Sequence, residues 1–178
     1  AKEFSIIFQH NHSRFPFTCL EMVMLGRYPH RNRLDGYSEK EIDFVLEIMR
    51  KTETIEYARK MITEISGGEL QRVIIARALA QNPRVIFMDE AFSELDICSK
   101  LRCIGLLKNL IKEDGLSVIS IMHDLNMAYM FSDDVIALKK GKVEGYGHPH
   151  RVMDNKLMRN VFNIDVEVIE NKGFFINV

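Results

Sequence analysis

The most constraining feature of the sequence is a strand, a helix and a second strand in succession between residues 84 and 122. Residues 84–88 and 116–122 are short apolar runs, typical of strands that are buried on both faces. Between them, apolar residues recur at helical spacing from Leu101 to Ile111, and Gly115 is a helix stop. Because such a unit joins parallel strands, the pattern predicts an α/β domain with a mostly parallel sheet flanked by helices.

The sequence on either side of this unit divides the chain further. Residues 4–8 form an apolar stretch that predicts a strand. Residues 18–81 are helical in pattern, with T-x-x-E and S-x-x-E starts at Thr18 and Ser38 and a loop with breakers at residues 29–36. We therefore predict a core start at 1–10, a helical subdomain at 11–82 and an α/β core at 83–178.

The α/β core continues beyond the second strand of the unit. Strands are predicted at residues 135–138 and 142–146, around a turn at Lys140-Gly141. A helix near 152–162 follows, and then strands near 166–169 and 174–178, joined at residues 171–173.

Composition excludes several classes of function. The 24 basic and 25 acidic side chains nearly cancel, so no overall field would draw the chain to nucleic acid, and we predict no nucleic-acid partner. The apolar runs are too short to cross a bilayer. Cys19, Cys98 and Cys103 are odd in number and form no C-x-x-C, which favours small core residues in a reducing compartment over a disulfide framework.

Polar side chains follow both strands of the central unit. The first strand ends at Asp89-Glu90 and the second at His123-Asp124. Because parallel strands end at one edge of the sheet, two carboxylates and an imidazole are expected to converge there. Paired carboxylates suit phosphoryl transfer to water, since one can hold Mg²⁺ while the other orients and deprotonates the water. Taken alone, Asp-Glu after an apolar run also occurs at ordinary strand ends, and that alternative stays open.

A second candidate site is Ser66-Gly67-Gly68-Glu69, at the start of a helix whose apolar positions run from Leu70 to Leu79. Two consecutive glycines are poor helix formers, but they allow backbone N–H groups to approach a bound anion, and the helix dipole adds attraction. The motif therefore predicts a phosphate cradle. A flexible helix start with a good serine cap is the alternative.

In order and spacing these motifs resemble the ATP-binding subunits of ABC transporters, and the resemblance extends over the whole chain. The motifs that carry it are residues 65–72, residues 76–79, the strand ending at Asp89-Glu90, residues 93–96 and His123. The resemblance implies the C-terminal part of a P-loop NTPase domain, with an α-helical subdomain, that binds ATP and Mg²⁺.

The resemblance also implies a role for each motif residue. Glu90 would be the catalytic glutamate, Asp89 the Walker B aspartate and His123 the switch histidine. Asp89 would hold Mg²⁺ together with Gln9, the Q-loop glutamine that links the metal site to the membrane partner. The residues implied to contact nucleotide are Gln9, Asp89, the signature motif Ser66, Gly67, Gly68 and Glu69, and Asp96 of the D-loop at residues 93–96.

The sequence departs from the family pattern in three places. Ala91 stands where proline usually follows the catalytic glutamate, and Ile65 replaces leucine before the signature serine. These changes leave the reactive groups in place. The third departure is large, because the 178 residues contain no G-x-x-x-x-G-K-[ST] phosphate loop. That loop would lie before Ala1, so we expect this chain alone to be inactive.

Residues 24–30 and 147–178 resemble importers of iron–siderophore complexes, haem and cobalamin. The implied partners are transmembrane permease subunits, a second copy arranged head to tail and, indirectly, a substrate-binding protein, at the cytoplasmic face of the cell membrane. Gln9 and residues 18–81 would form the surface that docks the permease, with Arg27 and Tyr28 as candidate contacts.

Two alternatives stay open. One is a non-catalytic docking module that binds a membrane or ATPase partner. The other is a non-transport ABC protein of DNA repair or translation, which predicts long coiled coils, tandem domains or a basic surface. None of these features is visible in the sequence.

Overall fold

A computed structural model describes residues 2–9, 16–31, 36–169 and 173–176. The chain forms two compact units, Ala1–Ile121 and Met122–Val178. The first contains, in chain order, β1 (Phe4–Ile7), α1 (Cys19–Met24), a 3₁₀ helix (Leu25–His30), α2 (Glu39–Lys51), a short 3₁₀ helix (Ile55–Tyr57), α3 (Gly67–Ala80), β2 (Val85–Asp89), α4 (Ile97–Asp114) and β3 (Ser117–Ile121). The second contains α5 (Leu125–Phe131), β4 (Val135–Lys139), β5 (Lys142–Gly147), α6 (Pro149–Val152), α7 (Asn155–Phe162), β6 (Val166–Ile169) and β7 (Gly173–Ile176).

The first unit is built on a parallel sheet with strand order β1-β2-β3. β2, α4 and β3 are the predicted strand–helix–strand unit, and the two strands pair in parallel with Met88 beside Ser120. α4 ends at Gly115, whose φ of 65° is the left-handed conformation that glycine adopts at low cost. The α/β class and the parallel sheet predicted from the sequence are therefore confirmed.

The helices between β1 and β2 start at capping boxes. In each box a hydroxyl accepts a hydrogen bond from a backbone N–H three residues on, and a glutamate there accepts one in return. The pairs are Thr18 with Glu21, Ser38 with Glu41, and Ser66 with Glu69. All three starts were predicted as helix caps, and the third also as part of the glycine-rich cradle. Of the predicted loop at residues 29–36, residues 32–35 lie outside the described part of the chain, and Pro29 belongs to a 3₁₀ helix.

In the second unit, two antiparallel hairpins surround a small apolar core. β4 pairs with β5 and β6 with β7, as the turn signals predicted. The core is formed by Tyr129, Met153, Leu157, Met158 and Val166. The helix expected near 152–162 is α7, which begins three residues later than predicted because Asp154 caps it by accepting a hydrogen bond from the Leu157 N–H at 2.7 Å. The short helix α6 precedes it.

Each side of the parallel sheet has a different environment. Ile7, Ile86 and Met88 face the covered side and are at most 2% exposed. The opposite side presents large apolar side chains that are 37% to 58% exposed, namely Phe4, Ile6, Phe87, Ile119 and Ile121. We call these five residues the open face. Because parallel sheets are normally covered on both sides, we expect this face to bind further protein surface.

No helix among the described residues has the length and apolar character needed to cross a membrane. The division into 1–10, 11–82 and 83–178 stays a prediction, since compactness alone does not distinguish a subdomain inserted into a core.

The open face predicts self-association of this chain. Covering a half-exposed Ile or Phe contributes about 1 kcal/mol, so five of them provide a driving force of several kcal/mol. Light scattering across concentrations should show dimers or larger species. Ile119→Lys should weaken association, while Leu101→Lys, on α4 and also exposed, should not. A monodisperse monomer over a wide concentration range would contradict the prediction.

Candidate active site

The ends of β1 and β2 bring together two predicted site residues that are 81 positions apart in the chain. β1 pairs in parallel with β2, and Ile7 lies beside Met88. Two residues further along each strand, Gln9 Nε2 donates a hydrogen bond to Glu90 Oε2 at 3.3 Å and another to Ser93 Oγ at 3.3 Å. The implied Q-loop glutamine and catalytic glutamate therefore share one site.

Glu90 has an unusual backbone conformation. Its φ is 46°, in the left-handed region that residues other than glycine seldom adopt. Two hydrogen bonds hold the conformation: the Glu90 N–H donates to the Ile121 carbonyl at 3.2 Å, and the Ser93 N–H donates to the Glu90 carbonyl at 3.0 Å. Strained backbone of this kind is found at functional sites, where the surrounding structure maintains it.

Asp89 is the last residue of β2 and is exposed. The described residues contain no group of three or more His, Cys, Asp or Glu side chains that could hold a metal by themselves. Mg²⁺ usually takes one or two protein ligands and completes its shell with phosphate oxygens and water. Asp89 with Gln9 fits that requirement, and their role as metal ligands stays a prediction.

The signature residues stand at the N-terminus of α3. Ser66 is the N-cap: its Oγ accepts a hydrogen bond from the Glu69 N–H at 3.4 Å, and Glu69 Oε2 accepts one from the Ser66 N–H at 2.7 Å. The two glycines differ. Gly67 is exposed, and a Cβ there would meet only Leu95, at 4.0 Å, whereas a Cβ on buried Gly68 would stand 2.4 Å from Ser99 Oγ. Gly67 is thus open to an approaching anion, and Gly68 is required by packing.

Tyr57 contacts Glu69 of the signature motif, a contact that the sequence did not predict. Hydrogen bonds from the Ser66 backbone and from the Tyr57 side chain lower the pKa of Glu69 to about 2. The same contact, with a smaller contribution from Glu56, raises the pKa of Tyr57 to about 12. Tyr57 lies in a short 3₁₀ helix twelve positions before Glu69, so no local motif in the sequence indicated the pair.

Asp96 and His123 mark the starts of two further helices. Asp96 is the N-cap of α4, and its Oδ1 accepts a hydrogen bond from the Ser99 N–H at 3.0 Å. His123 is exposed and lies between β3 and α5, one residue before the α5 N-cap Asp124. Convergence of His123 on Asp89 and Glu90 stays a prediction.

Of the two candidate docking residues, Arg27 is used within the helical region. Its Nη1 donates to the Ala80 carbonyl at 2.9 Å, and its guanidinium lies 5.1 Å from the Phe44 ring centroid. Tyr28, by contrast, is 63% exposed. Contact with a permease stays a prediction for both residues, and Tyr28 has the more accessible side chain.

Comparisons with known proteins agree with one another. The family model described as ABC transporter matches residues 1–93. The chain is 36% identical over 169 residues to the iron(3+)-hydroxamate import ATP-binding protein of Bacillus subtilis (strain 168), covering 95% of this chain and 63% of the relative. It is 33% identical over 177 residues to the hemin import ATP-binding protein of Escherichia coli O157:H7, covering 96% and 67%.

The same fold is found in an inward-facing structure of a metal-chelate type ABC transporter. The TM-score is 0.90 at 20% identity, over 99% of this chain and 72% of that chain. At this identity the likeness concerns the fold alone. The chain spans somewhat less than two thirds of the length of the hydroxamate relative.

The Tyr57–Glu69 contact predicts a measurable change in acid behaviour. Tyr57→Phe removes a donor to the carboxylate, so the pKa of Glu69 should rise from about 2 towards its ordinary 4.5. Carboxyl-detected NMR titration measures this. Glu21 and Glu41 are internal controls, because they sit in capping boxes that involve no tyrosine, and their pKa values should not change.

The sign of the stability effect follows from the direction of the shift. A carboxyl whose pKa is lowered by folding stabilises the protein above pH 4.5, and that contribution is lost as the pH falls towards about 2. In Tyr57→Phe the loss of stability on acidification should be smaller, because the pKa values of Glu69 in the folded and unfolded states lie closer together. An unchanged Glu69 titration in the variant would show that the hydroxyl does not hold the carboxylate.

Proposed function

This chain belongs to the ABC transporter family of ATP-binding proteins, and from that premise we propose that it forms the hydrolytic and partner-facing part of an importer's ATP-binding subunit. The observation that carries the proposal is the hydrogen bond from Gln9 to Glu90 at the ends of β1 and β2. It supports a site in which the residue that senses the membrane partner and the residue that activates water lie side by side.

In the proposed reaction, the Glu90 carboxylate orients a water molecule and takes its proton as the water attacks the terminal phosphorus. The bond from that phosphorus to the bridging oxygen breaks, ADP leaves with the electron pair, and inorganic phosphate is released. Asp89 and Gln9 would hold Mg²⁺, which neutralises phosphate charge when bound. The Ser66 hydroxyl and the Gly67 backbone N–H would donate to the terminal phosphate of ATP held by a second copy, with the α3 dipole adding attraction. His123 would contact the terminal phosphate from its own copy.

The proposed cargo is a metal chelate of the iron–siderophore, haem or cobalamin class. Two relatives are named for iron(3+)-hydroxamate and hemin import, and both align with more than nine tenths of this chain. The proposed partners are transmembrane permease subunits, a second ATP-binding copy and, indirectly, a substrate-binding protein. The proposed location is the cytoplasmic face of the membrane, where the helical region and Tyr28 would meet the permease.

A second candidate is a docking module without hydrolytic activity. The observation that favours it is the lack of a G-x-x-x-x-G-K-[ST] sequence in the 178 residues. Without that loop, Glu90 has no firmly held phosphate against which to orient water. The chain could still bind a permease or a complete subunit through its remaining surfaces.

We expect this chain alone to release no more phosphate from ATP than its Glu90→Gln variant. The base Glu90 accelerates the reaction only when the phosphate is held in position against the water, and this chain lacks the loop that holds it. A steady-state phosphate-release assay measures this, and phosphate release clearly above the Glu90→Gln control would refute the prediction.

The catalytic assignment is tested in a completed subunit, which is this chain preceded by the phosphate-loop segment of the iron(3+)-hydroxamate relative. Glu90→Gln should lower turnover by about 10²- to 10⁴-fold while nucleotide affinity is retained, because glutamine keeps the shape but cannot take the proton. Sedimentation should then show a long-lived ATP-bound dimer. Glu113→Gln, an exposed carboxylate at the end of α4, is the matched control and should hydrolyse normally.

Ser66→Arg separates the signature contact from the chemistry. A bulky cation at the start of α3 would block the partner's phosphate, so this variant should bind ATP but form no dimer. The assignment of Glu90 as the base fails if Glu90→Gln hydrolyses ATP at the normal rate and forms no longer-lived dimer than the unmutated protein.

A further inference from the structure

The start of α3 lies close to the start of α4 at Gly68 and Ser99. A Cβ built on Gly68 would lie 2.4 Å from Ser99 Oγ and 2.9 Å from Ser99 Cβ, and its third nearest neighbour is Ser99 Cα at 3.9 Å. All three atoms belong to one residue. Gly68 is buried, so this contact is not a loose surface approach.

Ser99 also holds the D-loop aspartate. Its backbone N–H donates to Asp96 Oδ1 at 3.0 Å, and its side chain hydrogen-bonds the same carboxylate, which lowers the pKa of Asp96. Ser99 therefore contacts the signature glycine on one side and the D-loop carboxylate on the other.

Two backbone hydrogen bonds hold the turn that joins the proposed catalytic glutamate to the D-loop. The Ser93 N–H donates to the Glu90 carbonyl at 3.0 Å, and the Leu95 N–H donates to the Phe92 carbonyl at 3.2 Å. With the Ser99–Asp96 bonds, these contacts form a continuous path from Glu90 to Gly68. Each step links residues at most three positions apart, except the last, which joins α4 to α3.

We propose that Ser99 is a positioning residue that fixes the phosphate-facing start of α3 to the D-loop, so that the two move as one rigid piece. The proposal rests on the function proposed above for the signature motif and for Asp96. In the head-to-tail pair, the signature serves the partner's ATP and Glu90 serves its own. Ser99 would therefore link the signature motif, which contacts the partner's ATP, to the D-loop and Glu90, which serve the chain's own ATP.

The physical link is tested in this chain with a matched pair of glycine variants. Gly67→Ala and Gly68→Ala each add one methyl group to the first turn of α3, but only the second meets Ser99. In thermal unfolding Gly68→Ala should be clearly the less stable. Adding Ser99→Gly should recover much of the loss in Gly68→Ala, and should recover nothing in Gly67→Ala.

The titration of Asp96 distinguishes positioning from mere packing. Gly68→Ala pushes Ser99 away and should raise the pKa of Asp96 towards its ordinary 3.8, whereas Gly67→Ala should leave it unchanged. Ser99→Ala should raise the pKa of Asp96 as well, while keeping the volume of the side chain. If neither variant changes the Asp96 titration and the double variant recovers no stability, the link does not exist.

The functional part uses the completed subunit with Glu90→Gln, in which ATP-driven dimers persist. Adding Ser99→Ala should raise the ATP concentration for half-maximal dimer formation by about tenfold, within the range found for residues in direct contact. Cys98→Ala, at the exposed preceding position, is the control. Equal ATP dependence of the Ser99→Ala and parent dimers would overturn the proposal. If the parent itself forms no dimer, the proposed function fails, and the stability and titration results alone decide whether Ser99 positions the D-loop.

Discussion

The parallel pairing of β1 with β2 is the constraint on which the candidate site depends. It places Gln9 beside Glu90 although the two are far apart in the sequence, and a shift of one residue in register would separate them. The register is maintained by Ile7, Ile86 and Met88, which are buried on one side of the sheet. The polar chemistry at the strand ends is therefore positioned by apolar packing a few residues earlier.

The described part of the helical region contains three capping boxes, and one of them has an additional hydrogen-bond donor. Thr18, Ser38 and Ser66 each form a capping box with a glutamate three residues later. Only Glu69 has an additional tyrosine donor, and its pKa falls to about 2. A carboxylate so firmly paired stays ionised and closely held to the cap, which keeps the first turn of α3 in place at the position where an anion is proposed to bind.

Much of this arrangement could be predicted from the sequence, because the signals are local. Hydrophobic runs predicted the strands, and the T-x-x-E and S-x-x-E patterns predicted the helix starts. The order of the motifs predicted the family, which the comparisons confirm. Contacts between distant segments could not be predicted this way. Tyr57 and Ser99 carry no motif of their own. The later start of the last helix depends on Asp154, whose short carboxylate side chain favours a cap position over a helix interior.

The two signature glycines are small for different physical reasons. Read as a sequence, Gly67-Gly68 suggests one purpose, backbone access for phosphate. In the structure only Gly67 is open, and Gly68 is small because Ser99 occupies the space a side chain would need. Phosphate access and helix packing are different constraints that select the same residue type. Since the packing constraint at Gly68 acts on Ser99, and Ser99 holds Asp96, the phosphate proposed to bind at Gly67 would lie on the same helix turn that Ser99 connects to the D-loop.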